Sequence, residues 1–192
     1  MKKIDNRKDI LLLLLYSPGS NTIINESIIG RTRLIKMLFL FKNEVWKKFK
    51  SNTQLTEENM YSFFPWNYGP FSSEVYDDVT FFSLRGFIEI NFTSQEAIVE
   101  SVEEWNFYQE KYGQEDFEGV KEYQEEEFRL TDKGVDFTKD LYGSLSSNQQ
   151  EILKEFKSRI TLMPLRALLR YVYKQYDDFT SNSVIKNDIL GG

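Results

Sequence analysis

The stretch that most constrains the fold runs Trp66-Asn67-Tyr68-Gly69-Pro70-Phe71-Ser72-Ser73-Glu74-Val75-Tyr76-Asp77-Asp78. Asn67 to Pro70 is a turn signal, because glycine tolerates a left-handed backbone and proline has no N–H to donate. The turn feeds a helix expected over about 72–84. Ser72 or Ser73 can cap it, Glu74 suits the positive end of its dipole, and Val75, Val79 and Phe81 or Phe82 form an apolar face. Gly86 then stops the helix, and Phe87-Ile88-Glu89-Ile90-Asn91-Phe92 alternates apolar and polar residues as a half-buried strand does.

Most of the remaining pattern is helical. A first helix is expected over 6–16, ended by Ser17-Pro18-Gly19, and a loop follows over 20–30. A second helix is expected over 31–50, with Leu34, Met37, Leu38, Phe41, Val45 and Phe49 on one face and Lys36, Asn43, Lys47 and Lys50 on another. Tyr61 to Pro65 reads as extended and Glu126 to Thr131 as a returning strand. Thr131-Asp132-Lys133-Gly134 opens a helix reaching about Tyr142. Helices over 147–160 and 164–176, and a short one within 180–190, complete the chain. This order predicts an α+β, mainly helical fold: a winged helix-turn-helix core with a long acidic wing insertion and extra C-terminal helices. The winged-helix-like domain is expected at 1–142, with the insertion at 93–123, and the helical extension packed on it at 143–192.

With 192 residues the chain can bury roughly 70% of its unfolded surface, so it needs no disulfide or metal staple. It contains no Cys and no His, which removes thiol nucleophiles, zinc-thiolate sites, Ser-His triads and the commonest general base. No phosphate-binding glycine loop and no Gly-x-Ser-x-Gly elbow occur. No catalytic residue, cofactor or metal is expected. The apolar run Ile10 to Leu15 is short and preceded by mixed charges, so it reads as a core helix of a cytoplasmic protein with no membrane association.

The net charge of −6 hides an asymmetry. Residues 1–60 hold 11 Lys/Arg against 6 Asp/Glu, and residues 133–174 hold 8 against 4. Between them, residues 96–127 hold 12 acids against Lys111 and Lys121. Two basic regions thus flank an acidic one, a pattern that points to interaction with charged partners.

Several segments resemble those of a poorly characterised prokaryotic winged-helix-like family. Gly30-Arg31-Thr32-Arg33-Leu34-Ile35-Lys36-Met37-Leu38-Phe39-Leu40-Phe41 is similar to its RTRLxKLLFLF segment, Tyr68 to Val79 to its YGPFSxEVYDDL segment, and Met163 to Tyr173 to its MPLRxLLRYVY segment. Leu130-Thr131-Asp132-Lys133-Gly134 matches an LTxKG segment of the same group. Residues 31–90 also look distantly similar to the Panacea (SocA-like) antitoxin domain. The resemblance implies regulatory or antitoxin-like binding and carries no activity with it. The long acidic insertion departs from the minimal Panacea layout.

The candidate binding residues are Arg31, Arg33 and Lys36 at the start of the second helix, Trp66 and Tyr68 in the aromatic turn, and Arg166, Arg170 and Lys174 spaced i, i+4, i+8 on a late helix. Each set also has a structural reading: a solvated or ion-paired face, or aromatics that pack the turn. The acids Glu74, Asp77 and Asp78 argue against phosphate contact by the helix that holds them. The expected function is that of a non-enzymatic binding protein, a prokaryotic or phage regulator or antitoxin-like adaptor, with nucleic acid or protein as partner. A protein-interaction module, homodimers included, is the alternative. A carboxylate-metal nuclease centred on Glu125-Glu126-Glu127 is a third and weaker one.

Overall fold

Ile10 to Leu15 are all buried within α1 (Arg7–Tyr16). A helix apolar on every side has to be surrounded, and α1 is packed by the C-terminal helices and the sheet. Asn6 caps it, with the Asp9 side chain closing the box. The computed structural model describes residues 4–51, 53–93 and 125–191. Apart from Thr93, the insertion expected at 93–123 lies outside the described residues.

The expected second helix is three pieces on one axis: α2 (Arg31–Leu40), a π-helical turn (Phe41–Val45) and α3 (Trp46–Phe49). Next come α4 (Ser73–Leu84), α5 (Asp132–Gly143), α6 (Ser147–Leu162), α7 (Leu165–Gln175) and a short α8 (Lys186–Leu190). Thr131 caps α5 by accepting from the Gly134 N–H at 3.1 Å, and Ser146 with Gln149 forms a capping box on α6. Ser72 occupies the N-cap position of α4 but its side chain makes no capping bond.

Two small sheets complete the fold. β1 (Ile28–Ile29), which the sequence reading leaves inside a loop, pairs antiparallel with β5 (Glu125–Leu130), whose other edge takes β4 (Ile88–Thr93). Ile28 faces Phe128, and Ile88 faces Leu130. The paired strands expected around the insertion are therefore present. A second ribbon joins β2 (Phe64–Trp66) to β3 (Gly69–Phe71) through Asn67 and Tyr68. Gly69 and Pro70, expected in the turn, are strand residues instead. Gly69 has φ +83°, and a Cβ there would lie 2.9 Å from Tyr173 Cε1, so the ribbon sits directly on α7.

The molecule is mainly helical with this small amount of sheet. One hydrophobic cluster runs through both 1–142 and 143–192, from Ile4 to Ile189. Among the described residues no helix is long and apolar enough to cross a membrane.

Candidate functional site

Helix α2 begins with three cations, and the fold turns all three toward protein. Arg31 forms a two-pronged ion pair with Glu126 of β5, and its guanidinium lies 4.4 Å from the Tyr76 ring centre. Arg33 donates to the carbonyls of Ile160 (2.6 Å) and Met163 (2.6 Å) at the end of α6, and to Ile29 (3.2 Å). Burial pulls its pKa down, and nearby Glu125 opposes that. Lys36, expected on the polar face of the helix, is 2% exposed and donates to the Pro70 carbonyl at 3.0 Å. Its four-carbon stem runs through the core and delivers the charge to a backbone acceptor.

Lys157 repeats the device. It is fully buried, and its Nζ donates to the carbonyls of Leu15 (2.9 Å), Ser17 (2.8 Å) and Glu26 (2.6 Å). The first two belong to the C-terminal end of α1, where carbonyls have no helical partner. Burial lowers the Lys157 pKa to about 7, against the pull of Glu26.

Two of the three acids of α4, Glu74 and Asp78, face inward as well. Glu74 accepts from Arg7 Nη1 at 2.6 Å and from the Ser62 N–H at 2.7 Å. Asp78, buried, accepts from Arg7 Nε at 3.0 Å and pairs with Lys8 Nζ at 3.0 Å. Burial beside Asp78 pushes the Tyr61 phenol well above its ordinary pKa. Arg7 and Lys8 thus clamp α4 to α1. The outward face of α4 consists of Ser73, Asp77, Thr80, Phe81 and Leu84, with Leu84 84% exposed. The Arg85 guanidinium stacks 4.5 Å from the centre of Phe81.

Trp66 and Tyr68 are placed by the β2–β3 ribbon. Trp66 stands among Phe64 and Phe71, with centroids 5.8 and 6.0 Å apart, and Tyr68 is buried at 9% exposure. Trp66 keeps part of its surface accessible, whereas Tyr68 is a packing residue.

Arg166, Arg170 and Lys174 line one shallow groove of about 490 Å³ together with Pro164, Ala167 and Tyr171. Arg166 donates to the Asp188 carbonyl at 2.9 Å and Arg170 to the Ile189 carbonyl at 3.0 Å, so two of the three cations also hold α8 in place. Joined to the groove through Tyr171 is a cluster without a sequence signal. Glu44, in the π-helical turn, accepts from the hydroxyls of Tyr171 (2.8 Å) and Tyr176 (3.2 Å) and from Arg159 Nη2 (2.9 Å). Burial and the adjacent carboxylate raise the pKa of both phenols. A single-turn π-bulge often marks a functional position, and here it aims Glu44 at α7.

Among the described residues the acids of the nuclease alternative form no metal-binding group. Glu126 is held by Arg31 and Glu125 lies near Arg33, and no group of three or more metal-ligating side chains occurs among the described residues. Comparison of the chain with protein-family models, curated proteins and solved structures finds no match.

Proposed function

We propose that this chain is a non-enzymatic binding protein on a winged-helix scaffold, acting as a prokaryotic or phage regulator or antitoxin-like adaptor through a protein partner. In this reading α1, α2 and α4 are the three-helix unit, β1 closes the sheet, and β4–β5 is the stem of the wing. The observation that carries it is the division of α4 into two faces. Its inward acids, Glu74 and Asp78, are neutralised by Arg7 and Lys8. Its outward face offers Phe81 and Leu84, with Asp77 the only charge on that stripe and Arg85 at its end.

Duplex DNA presents about one negative charge per 1.7 Å and rewards clustered cations. An apolar face with an aromatic ring and an arginine is instead the composition of a protein-interface centre. The test is affinity co-purification from the source cell with wild-type protein and Phe81→Glu, beside a mobility shift on duplex DNA across a salt series. The proposal expects a protein retained by wild type and lost with Phe81→Glu, and no DNA shift abolished by that substitution. A salt-sensitive DNA shift that Phe81→Glu abolishes would contradict it.

The α7 groove supports a second reading, an acidic ligand held by Arg166, Arg170 and Lys174. Its cations are about 6 Å apart along the helix, and they share one depression. If the groove binds nucleic acid, Lys174→Glu removes a low-salt shift that Phe81→Glu leaves intact.

A further inference from the structure

We propose that the outward face of α4 binds a second copy of this chain, the two α4 helices lying antiparallel across a two-fold axis near Phe81. The inference rests on the reading of that face as a protein-docking surface and names its occupant.

The argument is one of symmetry and charge. Asp77, Phe81 and Arg85 are spaced i−4, i, i+4, so an acid and a cation flank the ring at about 6 Å on either side. Asp77 is exposed, and neither it nor Arg85 has an ion pair within the chain among the described residues. The Arg85 guanidinium is held on the Phe81 side of the helix by its stacking on that ring. Rotation by 180° about an axis through Phe81 exchanges the two ends. Asp77 of one copy then meets Arg85 of the other, twice, around a centre of Phe81 and Leu84. A surface complementary to itself under two-fold rotation is what an isologous dimer requires.

Two further cations border the surface, Lys8 at 5.4 Å from the Phe81 ring and Lys133 at 4.4 Å from the Phe87 ring, but Lys8 is paired with Asp78 and Lys133 donates to the Arg85 carbonyl, so Asp77 and Arg85 are the charges left to match across the axis. The apolar surface also continues past α4. Phe81 and Phe137 are connected by a run of rings through the buried Phe82 and the half-buried Phe87, with successive centroids 5.3, 5.9 and 5.2 Å apart. Phe137 is 39% exposed, so the contact can extend onto α5. Leu84, at 84% exposure, is a large side chain that a partner would desolvate almost completely.

The experiment is sedimentation velocity with light scattering from low micromolar to near-millimolar protein. Wild type should move from 22.8 kDa to twice that mass with rising concentration. Leu84→Glu should stay at the monomer mass throughout, with an unchanged circular dichroism spectrum, since the side chain touches little of the core. Asp77→Arg and Arg85→Asp should each raise the dissociation constant roughly tenfold or more. The double swap Asp77→Arg/Arg85→Asp should restore it, a rescue that general destabilisation cannot produce. A wild type that is monomeric throughout the range overturns the proposal, as does a dimer that survives Leu84→Glu. If wild type is monomeric yet retains another protein that Phe81→Glu loses, self-association is overturned and the docking reading of the face stands.

Discussion

Arg33 and Arg166 stand in the first turns of α2 and α7, helices that both lack an acidic residue there. In sequence they look interchangeable: cations at the positive end of a helix dipole, each opposed by about 0.3–1 kcal/mol. The structure gives them different duties. The end of α6 closes over the start of α2, and its carbonyls turn Arg33 into a cap between helices. The end of α8 reaches α7 in a similar way, its Asp188 and Ile189 carbonyls accepting from Arg166 and Arg170, but Arg166 and Asp188 are exposed there and Arg166 stands on the wall of the groove. What separates a structural cation from a candidate binding cation is therefore how deeply the helix end that it satisfies is buried: Ile160 is buried, Asp188 exposed. That burial is a long-range event, since Ile160 lies 127 positions after Arg33.

The contrast is broken hardest at the most buried member of the first class. Lys157→Met leaves the buried carbonyls of Leu15 and Ser17 and the half-buried one of Glu26 without this donor, a buried one costing about 1–3 kcal/mol. Urea unfolding followed by circular dichroism should show a loss of about 3 kcal/mol or more, whereas Lys174→Met should stay within about 0.5 kcal/mol.

The same lysine predicts an unusual pH response. Its folded pKa, about 7, lies below the 10.5 of the unfolded chain, so between these values the unfolded state holds the extra proton. Its contribution makes stability rise with pH over that window, by up to about 1.4 kcal/mol per unit. Above about pH 10 the sign reverses. The phenols of Tyr61, Tyr171 and Tyr176 keep their protons in the fold but lose them on unfolding, so stability falls. Unfolding of wild type and Lys157→Met from pH 6 to 11 checks this: the rise should vanish in the variant and the fall should remain.

A smaller effect is expected at the junction of the two classes. Glu44→Gln keeps an acceptor for Tyr171 and Tyr176 but removes the charge facing Arg159. It should cost about 1 kcal/mol and bring the two phenol titrations back toward 10, readable by ultraviolet absorbance.

Much of the scaffold is legible from local signals. The caps Asn6, Thr131 and Ser146 mark true helix starts, Gly86 marks the end of α4, and the alternation from Phe87 to Phe92 marks β4. The two-residue β1 is too short to carry a period, and Gly69-Pro70 speaks for a turn although the chain makes a strand of it. The candidate site is less legible, for one physical reason. Periodicity places Lys36 on the polar face of its helix and gives no sign of what Lys157 does, yet both thread apolar stems inward to distant carbonyls. The pairing of Arg7 with Glu74 and Asp78 spans about seventy residues and leaves no local trace. Arg166, Arg170 and Lys174 share a groove because their helical spacing is local, which is the kind of arrangement a sequence can reveal.

The most direct test of the division between structural and surface cations is a paired urea titration of Arg33→Met and Arg166→Met. Arg33→Met is expected to lower unfolding free energy by roughly 2–4 kcal/mol, because three backbone acceptors lose their donor. Arg166→Met should change it by no more than about 0.5–1 kcal/mol, since Arg166 and Asp188 are both exposed and interactions at an exposed site are worth little. Equal losses in the two variants, or a larger loss for Arg166→Met, would contradict the account.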